Sequence, residues 1–303
     1  MSVSERASVR RLEPRRSRAA AVLVAMRPRQ WTKNLLVFAG LIFAAELGDA
    51  TKALQAVTAF VAYCAASSAA YLVNDVRDVD ADRSHPIKRF RPIARGEVSE
   101  TAALALAAAL LALAVVLTAV LGWASLGFLA AFVALQGAYT LALKHAALVD
   151  VLVISGLFVV RAAAGAAAVD VPISPWLLLC TGLLALFLAL GKRHGELVLV
   201  GGEATPTRPV LEGYSLALVD QLLTIVAASS IIAYSLYTFT ARDSDALMVT
   251  IPFVIFGVFR YLLLLHRGQA GEEPENVLVR DLPILACVAA WAATCAVILA
   301  AID

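Results

Sequence analysis

Long apolar runs recur along this chain, and they leave it few folds to choose from. The run from Ala53 to Val73, ALQAVTAFVAYCAASSAAYLV, carries no charge. Inside a bilayer every backbone amide must find a partner within a helix or a closed barrel. A crossing helix needs about 20 mostly apolar residues, whereas barrel strands alternate in polarity over about ten. Stretches of the helical kind lie at 31–48, 53–74, 102–120, 123–142, 149–169, 174–190, 219–240, 246–265 and 282–302, the first with the shortest unbroken apolar run. Ala and Leu dominate them, and both favour helix. Small residues such as Ala65, Ala66, Ser67, Ser68, Ala69 and Ala70 allow helices to approach closely. The chain is 61% hydrophobic and only 16% charged, against roughly a quarter charged in soluble domains. The expectation is an all-α, polytopic membrane protein of about nine transmembrane helices. Residues 1–30 form a basic arm and 31–303 a single transmembrane domain.

The cations orient it. With the N-terminus inside, 21 of the 25 Lys and Arg fall on the inner side, and only Lys52 and Arg242 fall outside; Arg161 and Arg260 lie within spans. By the positive-inside rule the N-terminus and the charged loops face the cytoplasm, in a cell membrane. The arm MSVSERASVRRLEPRRSRAA lacks the h-region and cleavage site of a signal peptide. Its arginines suit an anionic inner leaflet or act as a plain topology anchor. Cys64, Cys180, Cys287 and Cys295 all fall in apolar runs without metal-ligand spacing, and read as small fillers.

The inner loops hold the chemistry. Between Asn74 and Gly96 the chain reads NDVRDVDADRSHPIKRFRPIARG. If the preceding helix continues, Asp75, Asp78 and Asp82 share one face, and three converging carboxylates require a cation. Oxygen-only ligands suit Mg²⁺ together with phosphate oxygens; a solvated helix end with local Arg77 pairing is the bland alternative. Asp80 points elsewhere. The following cations, among them Arg83, Lys88 and Arg91, offer phosphate affinity, and Pro86 and Pro92 break any long helix through the loop.

Three further clusters lie on the same side. In YTLALKHAALVD, Tyr139 and Lys144 end one span and Asp150 starts the next. Arg161, eleven residues on, falls on the face of Asp150. A mid-span Arg belongs in the bundle interior or a cavity, where it either binds a lipid-borne phosphate or partners a buried carbonyl or acid. In LGKRHGELV, Lys192, Arg193 and Glu196 fall within about one turn, either as a snorkelling helix end or as part of a site. The acidic, turn-rich GQAGEEPENVLVRD reads as a surface loop able to serve as a lid.

Taken in order, these motifs resemble the UbiA superfamily of intramembrane prenyltransferases. NDVRDVDAD fits the N-D-x-x-D-x-x-x-D signature of that superfamily, and the likeness runs from RPRQWTKNLLVFAGLIFA to the last span. The resemblance implies nine helices around a cavity with a cytoplasmic, metal-dependent diphosphate site. One motif departs from the common pattern. Where aromatic prenyltransferases carry a second D-x-x-x-D, this chain has GKRHGE. In that respect, and in RPRQWTKN and YTLALKHAALVD, it is similar to the decaprenyl-phosphate phosphoribosyltransferase branch. That branch implies transfer of 5-phosphoribose from 5-phosphoribosyl 1-diphosphate to a polyprenyl phosphate, on the way to cell-wall arabinan. The candidate catalytic residues are then Asn74, Asp75, Asp78 and Lys144, with Asp75, Asp78 and Asp82 as Mg²⁺ ligands. Lys33, Arg83, Lys88, Arg91, Tyr139, Asp150, Arg161, Lys192, Arg193 and Glu196 are the candidate substrate contacts. No nucleic-acid partner is expected, and a homo-oligomer is compatible with the sequence.

Two other functions compete. A prenyl diphosphate donor with an aromatic acceptor would call for the second acidic motif. A transporter would show paired repeats or broken helices around a midplane site, and no convincing internal repeat is present.

Overall fold

A computed structural model describes residues 16–43, 48–200, 209–240, 244–268 and 281–302. The described residues are helical with turns between, and contain no strand. In chain order the helices are α1 (Arg18–Ala25), α2 (Ala39–Phe43), α3 (Ala50–Arg77), α4 (Val79–Ser84), α5 (Glu100–Leu121), α6 (Trp123–Leu141), α7 (Val149–Ala168), α8 (Pro175–Val200), α9 (Leu216–Thr240), α10 (Ile251–His266) and α11 (Leu282–Ile302). Among the described residues seven helical stretches are long and apolar enough to cross a membrane: α3, α5, α6, α7, α8, α9, and α10 with the 3-10 turn before it; α11 adds a shorter apolar stretch, Leu282–Ile298.

The stretch at 31–48 differs from the expected span. Pro28–Phe38 is a 3-10 helix that passes into the five-residue α2. Its polar residues explain this. The indole N–H of Trp31 donates to Ser68 Oγ at 3.0 Å, and Ser68 Oγ donates to the Met26 carbonyl at 3.0 Å. Asn34 is fully buried, with Nδ2 donating to Cys64 Sγ and Oδ1 accepting from Ser67 Oγ, each at 3.4 Å. Side chains that bond α3 in this way hold the segment against it. The basic arm also contributes to the packing. Ser17 caps α1, and Ala21 and Ala25 are buried.

The chain divides into two compact units, Met1–Thr140 with Ala163–Val171, and Leu141–Ala162 with Pro172–Asp303. In the first, α3 packs along α5 and against the 3-10 segment. Its alanine and serine face makes such contacts close. A Cβ on Gly165 would lie 1.9 Å from the Val37 carbonyl oxygen, and one on Gly40 would lie 2.6 Å from Ala166 Cα; no larger residue fits either place. Ala21, Ala25, Ala69, Leu72, Val79, Ile93 and Val98 share one core. Ile93 and Val98 belong to the loop after the aspartates. Burying each is worth about 1.5–3 kcal/mol, which fixes a charged loop that would otherwise be solvated.

In the second unit α8 packs along α9, and α10 against α11. The Phe187 and Tyr261 rings meet with centroids 5.2 Å apart. Asp281 anchors the start of α11: it accepts from Arg260 Nε and Nη2 at 3.2 and 2.9 Å and from the Ile284 amide at 3.0 Å. The Arg260 hydrogen bonds hold the Asp281 carboxyl below its ordinary value. A carboxyl lowered on folding stabilises the fold above the unfolded value of about 3.9 and ceases to do so as pH falls through the lower folded value. Asp281→Asn is therefore expected to lower the thermal midpoint in detergent at neutral pH. The gap from the wild type should close in acid below the carboxylate range; a gap of constant size would show that the ion pair is not its origin.

Candidate functional site

Two buried charge networks stand out, one in each unit. The first grows from the end of α3. Asp75 and Asp82 are 2% and 3% exposed. The helix does not run straight between them. It stops at Arg77, Asp78 turns (φ −93°, ψ 11°), and α4 restarts at Val79. The one-face argument for a continuous helix is thereby replaced by a break that still brings Asp75 and Asp82 together. Arg91 Nη1 donates to Asp75 Oδ1 at 3.1 Å and to Asp82 Oδ2 at 2.6 Å. Arg27 Nη2 donates to the same Asp75 oxygen at 2.5 Å, with its guanidinium 4.9 Å from the Tyr71 ring centroid. Arg27 holds a left-handed backbone (φ 54°), which costs roughly 1–2 kcal/mol in a non-glycine residue. Such strain collects at functional sites.

Two buried carboxylates that point oxygens at a single nitrogen define a position where one cation is shared. Oxygen donors of this kind fit a hard divalent ion. Asp78 is partly buried at the break. Asp80 is exposed and pairs with Arg83 at 2.8 Å; Arg83 also lies 3.7 Å from Glu100. Asn74 is partly buried, its carbonyl accepting from the Asp78 amide at 2.9 Å. Lys88 is partly buried in a short 3-10 turn, and its amide donates to His85 Nδ1 at 3.2 Å. Lys33 and Tyr139 are both partly buried, on the 3-10 segment and on α6 respectively.

The second network is centred on Asp150, which is fully buried. Its Oδ2 accepts from Arg193 Nε at 2.8 Å and its Oδ1 from the Tyr214 hydroxyl at 2.6 Å. Arg193, 1% exposed, also donates through Nη1 to Glu196 Oε2. The Tyr214 oxygen accepts from the Leu148 amide at 2.7 Å, and Leu148 is left-handed as well (φ 69°). Burial, then the bond to Asp150, pushes the Tyr214 phenol well above its ordinary value, so it remains a donor. Gly191 makes room for this part of α8, since a Cβ there would lie 2.4 Å from the Tyr261 hydroxyl oxygen. Lys192 is partly buried on α8, and Lys144 partly buried in the 3-10 turn Leu143–His145. Arg161 is buried in α7, where Nη1 donates to the Leu157 carbonyl at 3.0 Å and the guanidinium lies 5.4 Å from the Phe158 ring centroid. The turn-rich segment GQAGEEPENVLVRD lies outside the described residues, apart from its final Asp281.

Arg27 and Tyr214 were not among the residues singled out from sequence. Arg27 sits in the RPRQWTKN motif, which offered a signal. Tyr214 lies in a polar connection with none. The first network joins two guanidinium groups to a pair of carboxylates, and the second joins one guanidinium to two carboxylates and a phenol.

A profile of the UbiA prenyltransferase family matches residues 34–278. The chain is 39% identical to decaprenyl-phosphate phosphoribosyltransferase of Mycolicibacterium smegmatis over 93% of each protein. It is 40% identical to the protein of the same name from Mycobacterium tuberculosis, over 93% of this chain and 95% of that one. In fold it is similar to a UbiA homolog from Archaeoglobus fulgidus bound to GPP and Mg²⁺, with a TM-score of 0.69 and 19% identity over 90% of this chain and 97% of that one. With the family match, the apolar helices describe a multi-pass membrane protein. By the match over most of its length, and by its fold, the chain belongs to the UbiA prenyltransferase family.

Proposed function

We propose that this protein transfers 5-phosphoribose from 5-phosphoribosyl 1-diphosphate to a polyprenyl phosphate such as decaprenyl phosphate, releasing diphosphate. The observation that carries this reading is its likeness, along nearly the whole chain, to two proteins named for that activity. The second network supports it. At the place of the second acidic motif of prenyl-transferring members, the chain puts the buried Arg193 between Asp150 and Glu196.

In the reaction the bond from ribose C1 to the diphosphate oxygen breaks, and its electron pair leaves with diphosphate. A phosphate oxygen of the lipid forms the new bond to C1 on the opposite face. The acceptor is already anionic, so no strong base is needed. Stabilising the departing charge and positioning the partners account for catalysis. Asp75 and Asp82, with Asp78 beside them in the chain, would hold Mg²⁺; when bound there it would neutralise charge on the leaving diphosphate. Arg91 and Arg27 orient the two carboxylates, and Lys88 and Arg83 supply further positive charge to the diphosphate. Asn74 positions the start of this loop. Lys192, Arg193 and Glu196 serve the phosphoribosyl end, with Arg193 held by Asp150 and Tyr214. Lys144, Tyr139, Lys33 and Arg161 are assigned to the lipid phosphate. The active face is cytoplasmic in a cell membrane, by the distribution of cations.

Mg²⁺ removal tests the metal assignment. Purified protein treated with chelator should release no diphosphate from donor and decaprenyl phosphate, and Mg²⁺ should restore release. Full turnover in chelator would overturn it.

A further inference from the structure

A third cluster, in the second unit, takes no part in either network. His194 on α8, Asp220 in the first turns of α9 and His266 at the end of α10 converge, and one ligand atom from each lies within 4.8 Å of the others. His194 is buried, Asp220 partly buried and His266 exposed. Nε2 of His194 lies 3.3 Å from Asp220 Oδ1, and Nε2 of His266 lies 3.8 Å from the same oxygen.

The hydrogen bonds set the tautomer of one ring. His266 Nδ1 lies 2.9 Å from the Leu262 carbonyl oxygen, one turn back. A carbonyl only accepts, so Nδ1 carries the proton, and in the neutral ring Nε2 presents a lone pair toward Asp220. That arrangement, with the far nitrogen donating to a backbone carbonyl, is how metal-binding imidazoles are oriented. Among the described residues Asp220 Oδ1 is buried and accepts no hydrogen bond, and His194 Nδ1 is buried without a partner. An Asp220 oxygen that accepts no hydrogen bond thus faces the lone pair of neutral His266 across 3.8 Å, with His194 Nε2 3.3 Å away. A cation between them removes the conflict.

The ligand types select the kind of cation, and the spacing is compatible with it. Tetrahedral ligands at about 2.0–2.1 Å from a zinc ion stand roughly 3.3–3.4 Å from one another. The His194–Asp220 separation equals this, and the His266–Asp220 separation is a few tenths of an ångström wider. Two imidazoles with one carboxylate suit Zn²⁺ and its neighbours, whereas Mg²⁺ prefers oxygen alone.

We propose that His194, Asp220 and His266 bind a zinc-class divalent cation, with water completing its coordination. The ion ties together the ends of α8, α9 and α10, next in the chain to Arg193. Its three ligands are none of the residues assigned to Mg²⁺, and the proposal does not rest on the transferase reading.

The test uses the full-length protein in detergent, stripped with chelator and dialysed into Mg²⁺. Zn²⁺ is titrated in, and bound metal and thermal midpoint are both followed. The expected result is one Zn²⁺ per chain with a rise in midpoint, and visible absorption of tetrahedral type when Co²⁺ replaces it. Loss of a mere orienting partner costs about 10–100-fold in metal affinity, so His266→Gln and Asp220→Asn should each weaken Zn²⁺ binding at least that much. His266 is exposed, which keeps that variant folded; its midpoint without Zn²⁺ should match the stripped wild type. Zn²⁺ binding of equal strength in wild type and both variants would overturn the proposal, as would no binding by the wild type in the presence of Mg²⁺.

Discussion

Asp75→Asn is expected to reduce turnover by at least about a hundredfold while the protein still folds. Disturbing even an orienting partner of a metal ligand costs about 10–100-fold, and Asp75 is assigned as a ligand itself. Its oxygen also accepts from both Arg27 and Arg91, so the change loosens the arrangement that presents Asp82. Initial rates across a range of Mg²⁺ concentrations are the measurement, with Asp80→Asn as the control. Among the described residues Asp80 is exposed and pairs locally with Arg83, so that variant should stay close to wild type. Near-normal turnover by Asp75→Asn would remove the metal-site assignment. Equal losses in both variants would show that general acidity of the loop, rather than a specific pair, is what matters.

Arg193→Ala is expected to lower kcat/KM for the phosphoribosyl donor by tens- to thousands-fold, corresponding to about 2–5 kcal/mol for truncating a buried charged hydrogen bond. It should also destabilise the fold, because Asp150 has no exposed surface and would lose its charged partner; breaking a buried pair costs about 3–5 kcal/mol. Lys192→Ala separates the two effects. Lys192 is partly exposed, so its removal should weaken donor use with little change in thermal midpoint. Steady-state kinetics with each substrate varied in turn gives the answer. Loss of apparent lipid affinity with donor parameters intact would reassign this cluster to the acceptor phosphate.

The sequence carried the helices well because hydrophobic length alone dictates them. The runs at 53–74, 102–120, 123–142 and 149–169 correspond to α3, α5, α6 and α7. The stretch at 31–48 departs from a plain span over its described residues, where Trp31 and Asn34, ahead of the apolar half, bond to α3. The acidic motif was readable as a cluster, but the break at Asp78 was not. Nothing local forbids helix there; the turn is set by the packing of Val79 and Ile93 into a core with α1 and α3. Asp150 and Arg193, 43 positions apart, became visible as a pair only once α7 and α8 were folded. The same holds for His194, Asp220 and His266, three residues on three helices with no spacing that links them in sequence. Long-range ion pairs leave no periodic trace, whereas apolar faces do.

A doubly labelled donor distinguishes transfer of a phosphoribosyl group to a lipid phosphate from prenyl transfer. 5-Phosphoribosyl 1-diphosphate carrying one label in the ribose and another in the 5-phosphate is given to purified protein with decaprenyl phosphate and Mg²⁺, and the lipid is extracted. Both labels are expected to enter the lipid in equal amounts, with one unlabelled diphosphate released for each transfer, and a prenyl diphosphate with an aromatic acceptor is expected to yield no product. A lipid fraction without either label, together with prenylation of the aromatic acceptor, would contradict phosphoribosyl transfer.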